Sequence, residues 1–382
     1  MAYYILILLV TFFSQFIDNE LTGANRFVYK YSLLALVGLF VCFGYMTGSD
    51  WRAYEPMYNW VEESNSSLIS LTFIEPGYVL YMKFFHLLGF SFWNFFITTK
   101  VLTYLIIINS LNKYSDKRIF FFALTFFIAF YGYFLWIDNP MRNLIAVTIF
   151  LMALPTMLKR DFLTFILFTF LAMSFHFSAI IMLFLYWASH KRLNTITIIL
   201  LYVFINVVFL SKASIYFIVD ALFSWIPFVS NKIIAYFIDD GPDSGGKLLS
   251  IGFLLHNVFF FLILYSRTRI ETLKNGNVIF NLSVLYFIFF RIGLTVTVMG
   301  RLQLFLGVFY SIVVAALVFS FEKRLKLPYL LYVLIICMLS SHSYLSKDFR
   351  YVPYSNYLWY IFREKPTFEY RDTHNPQNTP YF

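Results

Sequence analysis

Acidic residues are missing from every long apolar run of this sequence: all 20 Asp and Glu fall in the segments between the runs. Charge of either sign is scarce, at 13% of 382 residues, while 60% are hydrophobic, with 50 Phe and 29 Tyr. A soluble domain cannot hide that much apolar surface, so a water-soluble enzyme is excluded and the chain reads as a polytopic membrane protein. Cysteine is nearly absent. Cys42 and Cys337 both sit in apolar runs and supply neither a disulfide framework nor a metal ligand set. Residues 2–17 lack a basic flank and a small-residue cleavage site, so they read as a first span and not as a removable signal. No internal repeat is visible, which weighs against the duplicated architecture of many secondary transporters.

The apolar runs are 2–17, 28–46, 92–111, 119–136, 142–158, 194–210, 248–265, 278–299, 302–320 and 328–344. Shorter apolar pieces lie at 76–90, 162–174 and 177–188. The pattern predicts an all-α polytopic integral membrane protein with about 10–12 transmembrane helices plus re-entrant or short helices. Residues 1–345 are expected to form one transmembrane domain, with outer loops 47–75 and 211–247 and an outer tail 346–382 whose end, RDTHNPQNTP, reads as disordered. One set of loops (18–30, 112–118, 158–161, 190–194, 266–276, 321–327) holds 15 Lys/Arg against 6 Asp/Glu, and the other set holds 9 against 14. Basic loops stay cytoplasmic, so the second set faces outward. The net charge of +9 follows first from those loops.

Five cations remain inside or at the edge of apolar segments: Lys83, Lys100, Arg142, Arg291 and Arg301. A charge at the helix centre costs at least ~2.5–3.5 kcal/mol and needs a partner. With no carboxylate in any span, Arg142, Arg291 and Arg301 read as a site for an anion on the outer side. Each alone has a plainer reading, a snorkelling anchor. Arginine's planar fork matches phosphate oxygens two at a time, which points to a lipid-linked diphosphate.

Arg142 opens the stretch Asp138–Arg192, and His176 lies deep in its second half. Lys159-Arg160 and Lys191-Arg192 bracket about 30 residues, too few for two spans of ~20. The spacing predicts a helix pair that turns back near His176 around a polar cavity. A lone His, here or at His256, is more often a hydrogen-bonded contact between helices than a catalyst. Loop 47–75 offers Trp51, Tyr54 and Tyr58 beside Asp50, Glu55 and Glu75, a composition suited to sugars or, more plainly, to an interfacial aromatic belt. Asp239, Asp240 and Asp243 sit in ordinary turn chemistry and do not amount to a metal site.

Gly48-Ser49-Asp50 with Tyr54, then Glu75-Pro76-Gly77, then Arg142-x-x-Ile145-Ala146, then Phe175-His176-Phe177-Ser178-Ala179 come in a characteristic order. Over nearly its whole length the chain resembles the EpsG-like exopolysaccharide and O-antigen polymerases. Arg291, Arg301 and Pro353-Tyr354-Ser355-Asn356-Tyr357 fit the pattern more loosely. The resemblance implies a Wzy-type glycosyltransferase of helical, GT-C-like architecture, akin to O-antigen ligases. Such an enzyme sits in the bacterial inner membrane and works at its periplasmic face without nucleotide sugar or cofactor. It moves a growing glycan from undecaprenyl diphosphate onto a lipid-linked repeat unit. The implied partners are undecaprenyl-diphosphate-linked oligosaccharide, membrane lipid and a chain-length regulator protein, with no nucleic acid.

On this reading Arg142, Arg291 and Arg301 neutralise the departing diphosphate, and Trp51, Tyr54 and Tyr58 hold glycan. Asp50 or His176 takes the acceptor proton, with Glu75 in the same role or positioning the acceptor. Two rivals share the ligand: a lipid-linked oligosaccharide flippase, which would use Lys83 and Lys100, and an O-antigen ligase. Since no span holds a compact carboxylate pair, glycan polymerisation in detergent is expected to survive EDTA. A loss restored by added magnesium would promote the aspartates at 239–243 instead.

Overall fold

The computed structural model describes residues 1–63, 74–209, 251–295, 297–346, 351–352 and 354–373. In chain order it has α1 (Ala2–Glu20), α2 (Gly23–Cys42), α3 (Trp51–Glu63), α4 (Pro76–Leu87), α5 (Phe92–Tyr114) and α6 (Phe120–Phe127), which runs on as a π-helix over Ile128–Asp138. Then come α7 (Met141–Lys159), α8 (Phe162–Met173) and a 3₁₀ turn at Phe177–Ile180. They are followed by α9 (Ile181–Ala188), α10 (Thr195–Val208), α11 (Ile251–Tyr265), α12 (Arg267–Glu271), α13 (Gly276–Thr295) and α14 (Gly307–Ala316). The last are α15 (Lys323–Leu345) and α16 (Phe368–Thr373).

Among the described residues no strand forms, and eight helices are long and apolar enough to cross a membrane. The chain is therefore an all-α, multi-pass membrane protein. The expected spans at 194–210 and 248–265 emerge as helices of 14 and 15 residues that border the undescribed 210–250. The segment expected as outer loop 211–247, with Asp239, Asp240 and Asp243, lies outside the described residues.

The helices pack as two compact units, 1–180 with 321–382 and 181–320. In the first, the helix from Phe120 to Asp138 is the centre. Its start, FFFALTFF, is apolar on every side, as a helix enclosed by other helices must be, and α1, α2, α5 and α15 pack around it. Its open N-terminus is closed by Gln15 of α1, whose Oε1 accepts from the Phe121 amide at 2.7 Å. Gln15 Nε2 donates in turn to the Lys117 carbonyl at 3.1 Å. Farther along, the Tyr133 hydroxyl donates to the Tyr4 carbonyl at 2.6 Å, and Tyr4 donates to the Tyr351 carbonyl at 2.9 Å. π-Helices are rare and concentrate at functional sites. This one ends at Asn139, in the left-handed region with φ 62°, and hands the chain to α7 and Arg142.

Loop 47–75 is not an open loop. Residues 51–63 form α3, with Trp51, Tyr54, Glu55, Tyr58 and Val61 turned inward, while 64–73 lie outside the described residues. The C-terminal segment is likewise structured where it is described, and 371–373 close α16. Tyr45 donates its amide to the Ser355 carbonyl, and Gly44 bridges Asn356. Arg371 lies in a box of Tyr45, Trp51, Trp93 and Phe368 rings and pairs in bidentate fashion with Glu55, both side chains being nearly buried. Removing one member of a buried pair typically costs ~3–5 kcal/mol, because the other is left as an uncompensated charge. Arg371→Ala should therefore lower the thermal midpoint in detergent well below that of Arg363→Ala, a change at an exposed position. Equal midpoints would show that the segment adds nothing to the fold.

In the second unit, α11, α13 and α14 join through aromatic rings. His256 stacks on Phe290 at 3.6 Å, bonds the Tyr286 hydroxyl at 3.1 Å and the Gly252 carbonyl at 2.7 Å, and is a contact between helices. Tyr202 of α10 donates to Asn257 at 2.9 Å.

Candidate functional site

Three helix starts and one helix break meet in the first unit, and two glycines make the meeting possible. Gly48 adopts φ +84°, and a Cβ there would run into the Ile137 carbonyl and lie 2.7 Å from Asp138 Cα. The next residue, Ser49, donates its amide (2.8 Å) and hydroxyl (2.6 Å) to Asp138 Oδ1. The start of α3 is thus pinned to the end of the π-helix, just ahead of Arg142. Gly77 does the same for α4. Its amide donates to the Ser174 carbonyl at 2.9 Å, and any Cβ would strike the Ser174 hydroxyl and stand 2.8 Å from that carbonyl oxygen. Pro76 occupies the first turn of α4, where its missing N–H costs nothing. Glu75, the residue ahead, is thereby brought against the turn that carries His176.

α8 ends at Met173, and the chain breaks over Ser174–His176 before the 3₁₀ turn. The expected interruption of the helix at His176 is present. Glu75 Oε1 lies 3.1 Å from His176 Nδ1, and Glu75 Oε2 accepts from Arg142 Nη1 at 2.7 Å. Tyr54 shares a hydrogen bond with the same guanidinium. The side chains of Arg142, Glu75 and His176 are 28%, 19% and 15% exposed, so the cluster is sheltered but reachable. Tyr78 beneath it donates to Met141 Sδ at 3.1 Å. Asp50 caps α3 through its carbonyl, accepts from the Ser49 hydroxyl at 3.2 Å and adds its charge to the surroundings of Tyr54.

Arg142 therefore does not wait for an anion. Glu75, which lies outside every span in the sequence, is its counter-ion, because Gly77 lets α4 dock on the Ser174 turn. Burial opposes the ionisation of Glu75. The His176 hydrogen bond, a backbone N–H and the Arg142 guanidinium outweigh it and hold the carboxyl down at about 2. Burial, reinforced by Asp50, raises the Tyr54 hydroxyl, while Arg142 pulls the other way. Tyr54 is thus a neutral phenol, able to accept from the guanidinium.

The other expected site residues stand elsewhere. Trp51 and Tyr58 are 1% exposed, so neither offers a face to a sugar. Trp51 packs on Trp93, while Tyr58 stacks on His86 at 3.7 Å and donates to the Phe90 carbonyl at 2.8 Å. They were plausible as sugar platforms only while 51–58 was taken for a loop; as a helix, it turns them inward. Arg291 and Arg301 belong to the second unit. Arg291 is buried, donates to the Phe209 carbonyl at 2.7 Å and stacks over Phe253, whereas Arg301 is exposed. Asp138 and Ser174 were missed. Their signal was indirect, since Gly48 and Gly77 in the motifs imply close backbone neighbours that sequence does not name. Among the described residues no cluster of His, Cys, Asp and Glu could hold a metal ion.

A group with a depressed carboxyl contributes stability that is present above its ordinary value of 4.5 and is lost as pH falls toward about 2. Glu75→Gln should therefore flatten the fall in thermal midpoint between pH 4.5 and 3 relative to the unaltered protein. Superimposable acid limbs would show that the pairing adds no pH-dependent stability.

A model of the EpsG family matches residues 27–356. No curated protein and no solved structure matches the chain.

Proposed function

The chain belongs to the EpsG family, whose members are polysaccharide polymerases, and from that premise we propose that it extends a surface glycan by transfer from a polyprenyl diphosphate carrier. The observation that carries this reading is the Arg142–Glu75–His176 cluster, a cation and a base held by one carboxylate. Because Glu75 stays ionised, it accepts from Nδ1–H of His176, and the neutral ring then keeps its lone pair on Nε2. That nitrogen takes the proton of the acceptor hydroxyl as the hydroxyl oxygen attacks the anomeric carbon. The bond from that carbon to the carrier's phosphate oxygen breaks, and the carrier departs as its diphosphate. Arg142, with donors beyond those used by Glu75 and Tyr54, stabilises the leaving anion. One displacement inverts the anomeric configuration. A carboxyl held near 2 is a poor base, so Glu75 orients and Asp50 organises the start of α3. The charge asymmetry of the loops supports an active face on the outer side of the membrane; on the family reading that membrane is the bacterial inner membrane and the carrier is undecaprenyl diphosphate.

A strain lacking the protein tests the class: a one-repeat glycan band supports a polymerase. Loss of all ligated glycan would point to a ligase, and lipid-linked units retained in the cytoplasm to a flippase. Within the polymerase reading, Arg142→Lys should lose most ladder formation while expression and insertion persist, because an ammonium cannot serve Glu75, Tyr54 and two phosphate oxygens at once. Arg142→Ala should cost on the order of 2.7–4 kcal/mol of barrier, as removal of an oxyanion-hole donor does. Arg269→Ala, at an exposed position in α12, should be near neutral. Full ladders from Arg142→Lys would reduce the residue to a structural anchor.

A further inference from the structure

A cavity of about 470 Å³ runs between α2 and α5, away from the Arg142 cluster and unused by the reaction. Its volume lies within the range of sites for small ligands, ~300–1,000 Å³. Polarity along it is one-sided. Lys30, Asn109 and Asn112 line one end, and Leu34, Leu39 and Val101 are among the apolar residues along the rest. Lys30 and Cys42 both line it, and at 1.5 Å per residue they are separated by ~18 Å along α2, slightly more than one leaflet of a ~30 Å hydrocarbon core. Gly38 lets the Tyr104 ring lie close against α2 at the floor: a Cβ there would stand 3.1 Å from that ring, which is anchored by a hydrogen bond to the Leu34 carbonyl at 2.7 Å.

The charge at the polar end is incompletely matched. Asp18 is committed to Arg26, which holds it through two guanidinium nitrogens. Lys30 donates to the neutral Asn112 side chain and lies over the Phe120 ring at 4.0 Å. Among the described residues no carboxylate forms an ion pair with it. An ammonium at the head of an apolar slot one leaflet long suits an amphiphile with an anionic head and one chain laid along the helices. We propose that the α2–α5 groove is a binding site for an anionic phospholipid, its phosphate on Lys30 and one acyl chain between Leu39 and Val101. The basic residues of the neighbouring turn, Lys113, Lys117 and Arg118, add to the attraction for that head, less the Asp116 paired with Arg118.

Native mass spectrometry of the full chain, after exchange into micelles with equal phosphatidylglycerol and phosphatidylcholine, reads the site directly. The unaltered protein should keep one phosphatidylglycerol about fivefold in preference, the effect of one basic residue near an anionic lipid surface. Lys30→Gln should lower that preference severalfold, to what the basic residues of the neighbouring turn supply. Ala35→Trp fills the slot from an exposed position of α2 and should remove the bound lipid altogether; Leu105→Trp does so from the α5 wall should the first variant not fold. Equal retention of both lipids by the unaltered protein would overturn the proposal. So would an unchanged preference in Lys30→Gln, undiminished retention in a folded occluding variant, or recovery of a polyprenyl phosphate in place of the phospholipid.

Discussion

One carboxylate between a guanidinium and an imidazole organises one end of the first unit. An arginine at the head of a membrane helix is expensive without a counter-charge, and the cost is met by Glu75 at 2.7 Å. The carboxylate in turn is tolerable in its sheltered position only because Arg142 and His176 both bond it. Each group is the condition for the others, so the backbone that brings them together has little freedom. That explains why two of the local motifs begin or end on glycine. Gly48 and Gly77 sit where a neighbouring strand of backbone leaves no room for a Cβ, and the three-residue motifs around them are docking points as much as chemistry.

The same logic shows what was legible in the sequence. Helix type followed from hydropathy alone, since runs such as FFFALTFF have no alternative to a buried helix. The number of spans did not: about 10–12 were expected, and eight helices among the described residues are long enough to cross. The break at His176 followed from the short distance between two basic pairs. The pairing of Arg142 with Glu75 was not legible, because it depends on a helix of twelve residues, α4, docking on a turn nearly a hundred positions later. Charge counting placed Glu75 in a loop and left Arg142 unpaired. The aromatic residues of 51–58 failed for a related reason. Tyr54 and Tyr58 recur four residues apart, as does Tyr54 after Asp50, which is a helical repeat, and a hydrophobic face on a helix is spent on packing before it is offered to a ligand.

The cluster also has a consistent electrostatic direction for the proposed transfer. In the resting site Arg142 is already neutralised, so an arriving diphosphate adds negative charge to a balanced group. In that proposal the leaving charge and the proton taken by His176 arise in the same step, beside groups that Glu75 already holds together. Glu75 holds the ring at 3.1 Å through Nδ1, which leaves Nε2 turned away from it. A free arginine would bind the diphosphate more tightly in the ground state. In the proposed transfer, an arginine shared with Glu75 would bind it less tightly at rest, and attraction accelerates the step only so far as it grows with the leaving charge.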